Sequence, residues 1–346
     1  MLVTNSSVAQ SKMQQASKVA IFYSDKFLLH DTGQQHPENP ARLAAVVDYL
    51  KTDQALSAHI TWPTFKPATH EMLKLVHTDD YISLVEHETK ALKNRTANLS
   101  TGDTVISHHT LEAATLAVGA SVAGVDAVMS GNVLAAFALV RPPGHHASQS
   151  RGMGFCVYNN VAIAARYLQK NYGLKRILIV DFDVHHGNGT QDIFYDDETV
   201  FYFSVHQHPF YPGTGRPDET GKGEGKGYTL NIDLPAGAGD EAFIAALQNK
   251  LKPAMQKFKP EFVLVSAGFD AHEGDLLGGL SYTDIGYREA AKILRDIAKL
   301  YATNRTVYVL EGGYNPKNIT NSVAEILGVL TDSSVADIQH KKKVLP

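Results

Sequence analysis

Ile177-Leu178-Ile179-Val180 runs without interruption into Asp181-Phe182-Asp183-Val184-His185-His186-Gly187-Asn188-Gly189-Thr190. The apolar half reads as a buried strand, and the polar half stands at its C-terminal end, where open α/β sheets carry their chemistry. Side chains alternate along extended backbone, so Asp181, Asp183 and His185 share one side while Phe182 and Val184 take the other. Three metal-type ligands thus converge on one point, and His186, facing away, is not counted among them. A lone D-x-D or H-H would read as a solvated turn; a full D-x-D-x-H-H-G-x-G is a functional pattern.

Composition sets the frame around that run. The chain of 346 residues, 44% hydrophobic and 20% charged, is long enough to bury a sizeable core and is not that of a disordered protein. Its formal charge of -4, with no basic block beyond Lys341-Lys342-Lys343, argues against direct nucleic-acid binding. Cys156 is the single cysteine, which precludes an intramolecular disulfide and suits a reducing compartment; a cytoplasmic location is expected. Residues 1–17, rich in Ser, Gln and Asn, lack the apolar stretch of a signal peptide and are expected to be a flexible leader before a catalytic domain at 18–346. No membrane span is expected.

Outward from the opening run, strands are predicted at Val19 to Tyr23, Leu134 to Val140, Thr199 to Val205, Tyr228 to Leu234, Phe262 to Ala267 and Thr306 to Leu310. Helices are predicted at Ala41 to about Thr52, Glu71 to Val76 and Asp79 to Leu92, with an Ala-rich stretch from Ser107 to Ser130 broken by Gly119 and Gly124. The alternation points to one α/β domain built on a parallel or mostly parallel sheet.

Three further strand ends carry unusual chemistry: Arg141-Pro142-Pro143-Gly144-His145-His146, Ser266-Ala267-Gly268-Phe269-Asp270 and Glu311-Gly312-Gly313-Tyr314. Asp183, His185 and Asp270 together would offer a divalent metal three ligands with positions left open, the pattern of a catalytic zinc site. Two carboxylates and one imidazole also suit Fe(II), Co(II) or Mn(II); Asp270 taken alone reads equally well as a helix cap before Ala271. A metal would lower the pKa of a bound water, and a neutral histidine of the His145-His146 pair could take its proton. Asp181 and Asn188 are suitable partners for those imidazoles, and since an Asp raises basicity more than an Asn, the two histidines should differ in pKa. Tyr314 could donate its hydroxyl to a developing oxyanion.

These motifs, with H-P-E-N-P-A-R at His36 to Arg42, G-F-C-V-Y-N-N at Gly154 to Asn160 and Y-P-G-T-G at Tyr211 to Gly215, make the chain resemble the histone deacetylase family of the arginase/deacetylase superfamily, class II and bacterial deacetylase-like amidohydrolases in particular. The resemblance runs from about Val19 to about Leu327. It implies an eight-stranded parallel sheet flanked by helices in a single domain, and zinc-dependent hydrolysis of an acetylated lysine with release of acetate. Asp183, His185 and Asp270 would then hold one Zn2+, His146 would be general base and acid, His145 with Asp181 would give electrostatic support, and Tyr314 would polarise the acetyl carbonyl. Asn188 stands where class I members carry an acid. Gly154, Phe155 and Tyr211 would line an acyl-lysine tunnel, with Leu277 at its gate, and Arg42 would lie near an acetate-release cavity. The resemblance further implies K+ sites, one formed by Asp181, Asp183, His185, Ser204 and Val205, the other by Phe194, Asp197, Val200 and Tyr228.

Three other readings compete. An acetylpolyamine amidohydrolase would share the catalytic groups; the gatekeeper Glu of such enzymes aligns with Leu277, although Glu273 and Asp275 lie close enough to supply negative charge. An arginase-type dimetal hydrolase would want acids where Gly268 and Asn188 stand. A non-catalytic acyl-lysine binding module would be expected to have lost a catalytic group, and none is missing. Oligomeric state is left open.

Overall fold

Every apolar run read as a strand becomes one, and their order in space explains why their C-terminal ends meet. The computed structural model describes residues 18–93 and 95–331, so the expected leader and the Lys341-Lys342-Lys343 block lie outside the described residues. Ten strands occur among the described residues: β1 (Val19–Phe22), β2 (Ile60–Thr61), β3 (Ala97–Asn98), β4 (Val105–Ile106), β5 (Ala135–Ala138), β6 (Ile177–Asp181), β7 (Val200–Gln207), β8 (Thr229–Leu234), β9 (Phe262–Ala267) and β10 (Thr306–Leu310). Eight of them form one parallel sheet in the order β2-β1-β5-β10-β9-β6-β7-β8, and β3 and β4 make a separate antiparallel pair.

The sheet is buried on both faces, as a parallel sheet must be, so β1, β5, β6, β7, β9 and β10 consist wholly of buried residues. Helices Thr110–Met129 and Asn160–Tyr172 pack together on one side of it, and Asp284–Tyr301, Pro316–Leu330 and Ala41–Thr52 on the other. The Ala-rich helix is continuous through Gly119 and Gly124, contrary to the expected break, because tertiary packing outweighs their low helix propensity. A Cβ at Gly119 would stand 2.1 Å from the Lys66 carbonyl oxygen, so the small residue is what lets that loop close onto the helix. This 20-residue helix is long and apolar enough, by composition, to cross a membrane, but 67% of its most apolar window is buried inside the fold.

Three other expectations need correction. Glu71 to Val76 is only a single helical turn, His70–Leu73, followed by turns, and no helix starts at Ala271, so Asp270 is not a cap. Strand β6 extends to Asp181, one residue beyond the expected end, and the ligand-bearing stretch after it is irregular. Its alternation nevertheless persists: Phe182 packs against Phe243, Phe269 and Tyr287, while Asp183 and His185 turn the other way into the cleft.

Candidate active site

Strand pairing brings the ligand-bearing segments together: Asp181 at the end of β6 lies opposite Ser266 of β9 on one side and Ser204 of β7 on the other. Ligand atoms of Asp183, His185 and Asp270, all buried, lie within 4.8 Å of one another. Main-chain donors fix the carboxylates. Asp183 Oδ1 accepts the His185 N–H at 2.9 Å, its Oδ2 accepts the Gly312 N–H at 2.8 Å, and Asp270 Oδ1 accepts the Val184 N–H at 2.9 Å. Asp270 Oδ2 is buried with no hydrogen-bond partner of acceptable geometry, although His185 Nδ1 stands 3.2 Å away. Burial and the neighbouring Asp183 charge push the Asp270 carboxyl up, whereas Asp183, equally buried, is drawn below the usual carboxylate range by His145 and His185. Two carboxylates in one dry site repel, and a divalent cation between them relieves that repulsion while satisfying the orphaned oxygen. The residues present therefore fit such an ion. Gly312 is required here: a Cβ would lie 2.1 Å from Asp270 Oδ2.

A second buried group, His145, Cys156 and Glu311, meets the same 4.8 Å distance test, yet its polar atoms are already engaged. Glu311 Oε2 accepts the N–H groups of Gly144 at 2.7 Å and His145 at 3.1 Å, and Oε1 accepts the Ser266 hydroxyl at 3.0 Å. Cys156 Sγ accepts the His146 N–H and donates to the Gly154 carbonyl, both at 3.4 Å, and burial pushes its thiol pKa up. This group braces the turn that presents the histidine pair.

That pair is split by its partners. His145 Nδ1 lies 3.0 Å from Asp181 Oδ2, and His146 Nδ1 lies 2.8 Å from Asn188 Oδ1, with ring centroids 4.0 Å apart. Each acceptor oxygen draws the proton to Nδ1, so Nε2 of His146 keeps its lone pair when the ring is neutral. Burial opposes charge on His145, but the Asp181 and Asp183 carboxylates overcome it and raise its pKa to about 10. His146 is driven well below its ordinary value by burial and by the positive charge of its neighbours His145 and His185. The Tyr202 hydroxyl, donating at 3.1 Å, holds Asp181 from behind.

A cavity of about 220 Å³ opens onto these groups, lined by Asp103, His146, Gly154, Phe155, His185, Phe210, Tyr211, Leu277 and Tyr314. All four expected tunnel residues are in that wall. Phe155 crosses Tyr314 edge to face at 6.0 Å, and Tyr211 crosses His146 at 5.3 Å. Gly154, at φ +56°, lies so close to the base that a Cβ would meet His146 Cδ2 at 2.2 Å. Phe210, stacked on His185 at 5.3 Å, and the exposed Asp103 were not anticipated. Asp103 accepts the Gly154 N–H at 2.7 Å and the Tyr211 hydroxyl at 3.1 Å, clamping two parts of the rim. The aromatic just before Tyr-Pro-Gly was a legible signal for Phe210; a lone acid in a loop gave none for Asp103.

Arg42 is fully buried, sits 4.9 Å from the Tyr314 ring centroid, and donates to the carbonyls of Gly313 and Glu311 and to Glu38 Oε1, the last at 2.8 Å. Glu38 also binds Arg141, at 2.8 Å through Oε2, and both arginines hold it below the ordinary carboxylate range against the effect of burial. Ser204 and Val205 lie beside Asp181 on the neighbouring strand. Phe194 ends the Asn188–Phe194 helix, its carbonyl accepting the Asp197 N–H at 3.1 Å, Val200 opens β7, and the Tyr228 carbonyl accepts the Tyr202 N–H at 2.9 Å. His186 is not near the ligands. It binds the Thr214 hydroxyl through Nδ1 at 2.8 Å and Gln191 Oε1 through Nε2 at 3.0 Å, linking the Phe210–Gly215 loop to the Asn188–Phe194 helix.

A buried Asp-His-Asp group, a hydrogen-bonded histidine pair and a phenol thus meet at the carboxyl ends of an eight-stranded parallel sheet. The histone deacetylase domain model matches residues 36–330, and the chain belongs to the histone deacetylase family, whose members are amide hydrolases. Among particular relatives, it is 41% identical to Histone deacetylase 10, chloroplastic, of Oryza sativa subsp. japonica, over 88% of this chain and 72% of that protein. It is 40% identical to Histone deacetylase 14, chloroplastic, of Arabidopsis thaliana, over 90% of this chain and 77% of the relative, and 37% identical to a Probable deacetylase of Archaeoglobus fulgidus, over 94% and 90%. The crystal structure of the HDA15 HD domain superposes with a TM-score of 0.86 at 37% identity, covering 95% of this chain and 94% of that one.

Proposed function

We propose that the protein hydrolyses the side-chain amide of N-acetyl-lysine in proteins or peptides, releasing acetate, with one zinc ion held by Asp183, His185 and Asp270. One observation carries this reading: His185, one of three converging ligands, also lines the cavity whose wall holds His146 and Tyr314. When bound, the metal would act as a Lewis acid toward the scissile carbonyl and the attacking water. His146 Nε2 takes a proton from that water and later passes it to the departing lysine nitrogen as the C–N bond breaks. Tyr314 donates its hydroxyl to the carbonyl oxygen as negative charge grows there. His145, held protonated by Asp181, lends positive charge behind them. Phe155 and Tyr211, joined by Phe210, flank the alkyl chain of the substrate. Carbonyls and side chains of Asp181, Asp183, His185, Ser204 and Val205, and the carbonyls of Phe194, Asp197, Val200 and Tyr228, belong to the same proposal as potassium ligands.

Acyl-lysine is favoured over acetylpolyamine because the gate itself carries the apolar Leu277, and Asp275 beside it is engaged by the main-chain N–H groups of Leu277, Tyr314 and Asn315. The lone, buried Cys156 thiol supports the proposed cytoplasmic location. Acetate release from acetyl-lysine peptides, compared with that from acetylated spermidine and putrescine with zinc restored, tests the substrate class. Faster turnover of the peptides is expected, and strong preference for a polyamine would overturn the protein-substrate reading.

A further inference from the structure

Tyr314 follows a glycine pair whose main chain is held on its N-terminal side: the Gly312 N–H donates to Asp183 Oδ2 at 2.8 Å, the Gly312 carbonyl accepts the Phe269 N–H at 3.0 Å, and the Gly313 carbonyl accepts from Arg42. Gly312 and Gly313 precede it, the latter at φ +114°, and neither has a side chain to pack. Yet the phenol must be placed within a fraction of an ångström of a carbonyl oxygen to stabilise charge there. The support comes from outside the loop. Asp275 Oδ2 accepts the N–H of Tyr314 at 2.7 Å and that of Asn315 at 3.1 Å, while Oδ1 accepts the N–H of Leu277 at 3.0 Å. One half-buried carboxylate thereby ties the glycine-hinged loop to the gate of the cavity. The turn carrying it is itself anchored, since Asn318 Nδ2 donates to the Glu273 carbonyl at 3.0 Å and the Asp275 N–H binds the His272 carbonyl at 3.1 Å.

We infer that Asp275 is a positioning residue that fixes Tyr314 against Leu277 and so sets the geometry of the carbonyl-binding phenol. It touches no substrate and acts through the main chain. The inference rests on the reading of Tyr314 as the group that binds the substrate carbonyl. Charge-assisted bonds from N–H groups to a carboxylate are strong and directional, and their loss would leave the Tyr314 and Asn315 amides unheld, with Gly313 as the hinge about which the ring can shift. A misplacement of about 1 Å costs on the order of 100-fold in rate.

The test is a double-mutant cycle on the metal-loaded full chain with an acetyl-lysine peptide, joined to amide hydrogen exchange. Asp275→Ala should lower kcat by roughly 10- to 100-fold with metal content retained, and should cost little further in a Tyr314→Phe background. Asp275→Asn, which keeps one acceptor oxygen, should recover part of the loss, and Glu273→Gln should match the parent. Exchange at the Tyr314 and Asn315 amides should quicken in Asp275→Ala. Equal fold-losses with and without the Tyr314 hydroxyl, or unchanged kcat, would overturn the inference; so would unchanged protection of those amides. If the parent protein turns over no acylated substrate, the functional proposal fails, and the exchange measurement still decides whether Asp275 holds Tyr314. If Asp275→Ala does not fold, Asp275→Asn carries both measurements.

Discussion

Two buried groups of ligand-type side chains lie side by side in this protein, and they differ in a single respect. Asp183, His185 and Asp270 leave a carboxylate oxygen without a partner, whereas Cys156 and Glu311 have theirs supplied by main-chain N–H groups and a serine hydroxyl, and the His145 ring has Asp181. Distance treats the two alike. Hydrogen-bond satisfaction separates them, because a buried polar atom left unpaired destabilises the fold unless something else binds it.

The largest effect should come from exchanging the roles of the two groups. Asp183→Ala should abolish stoichiometric metal binding and with it turnover, while Cys156→Ala keeps one metal per chain, both read by elemental analysis. A second metal lost on removing Cys156 would break the comparison. His146→Ala and Tyr314→Phe should next each retain the metal but lose about 10²- to 10⁴-fold in kcat; normal rates for either would remove its assigned role.

Glu311→Ala then probes the satisfied group. It strands the Gly144 and His145 N–H groups, at about 1–3 kcal/mol each, so the loss should appear in urea unfolding as well as in activity. Unchanged stability would show that water replaces the carboxylate.

The smallest effect concerns pH. His77 is held neutral by burial, its pKa lowered from 6.5 to about 4, with its Nε2 accepting the Asn159 N–H at 2.9 Å. The unfolded chain binds that proton below about 6.5 and the folded one does not until about 4, so stability falls as pH drops through this window, by about 3 kcal/mol from this residue. His77→Gln should flatten the decline in unfolding free energy between pH 6.5 and 4.5, and an unchanged slope would place the acid sensitivity elsewhere.

How much of this was legible in the sequence follows from the range of the forces involved. Strands buried on both faces announce themselves as apolar runs, and ligands at their ends follow from side-chain alternation, so β6 and the convergence of Asp183, His185 and Asp270 could be read directly. Strand β2 could not: its two residues have no period, and only pairing with Val19 and Ala20 makes them a strand. Asp103, Asp275 and Glu311 were hidden for a related reason. Each acid works by accepting main-chain N–H groups that the fold brings from distant segments, and a main-chain donor has no residue type to signal it. The potassium ligands were likewise reached only through resemblance, since carbonyl oxygens are common to every residue.

The place of β10 in the sheet has a consequence for how the molecule is made. It is the last strand among the described residues but sits between β5 and β9, so the two halves of the sheet have no hydrogen-bonded connection until residue 310 is available. Non-local parallel pairing of this kind is entropically costly to close and slow to form. During synthesis the β1–β2–β5 edge and the β6–β9 block must therefore wait, with their joining edges unpaired, for the strand made after all the others described. The segment directly after that strand carries Glu311 and Tyr314, so sheet closure also brings these two residues to the proposed site.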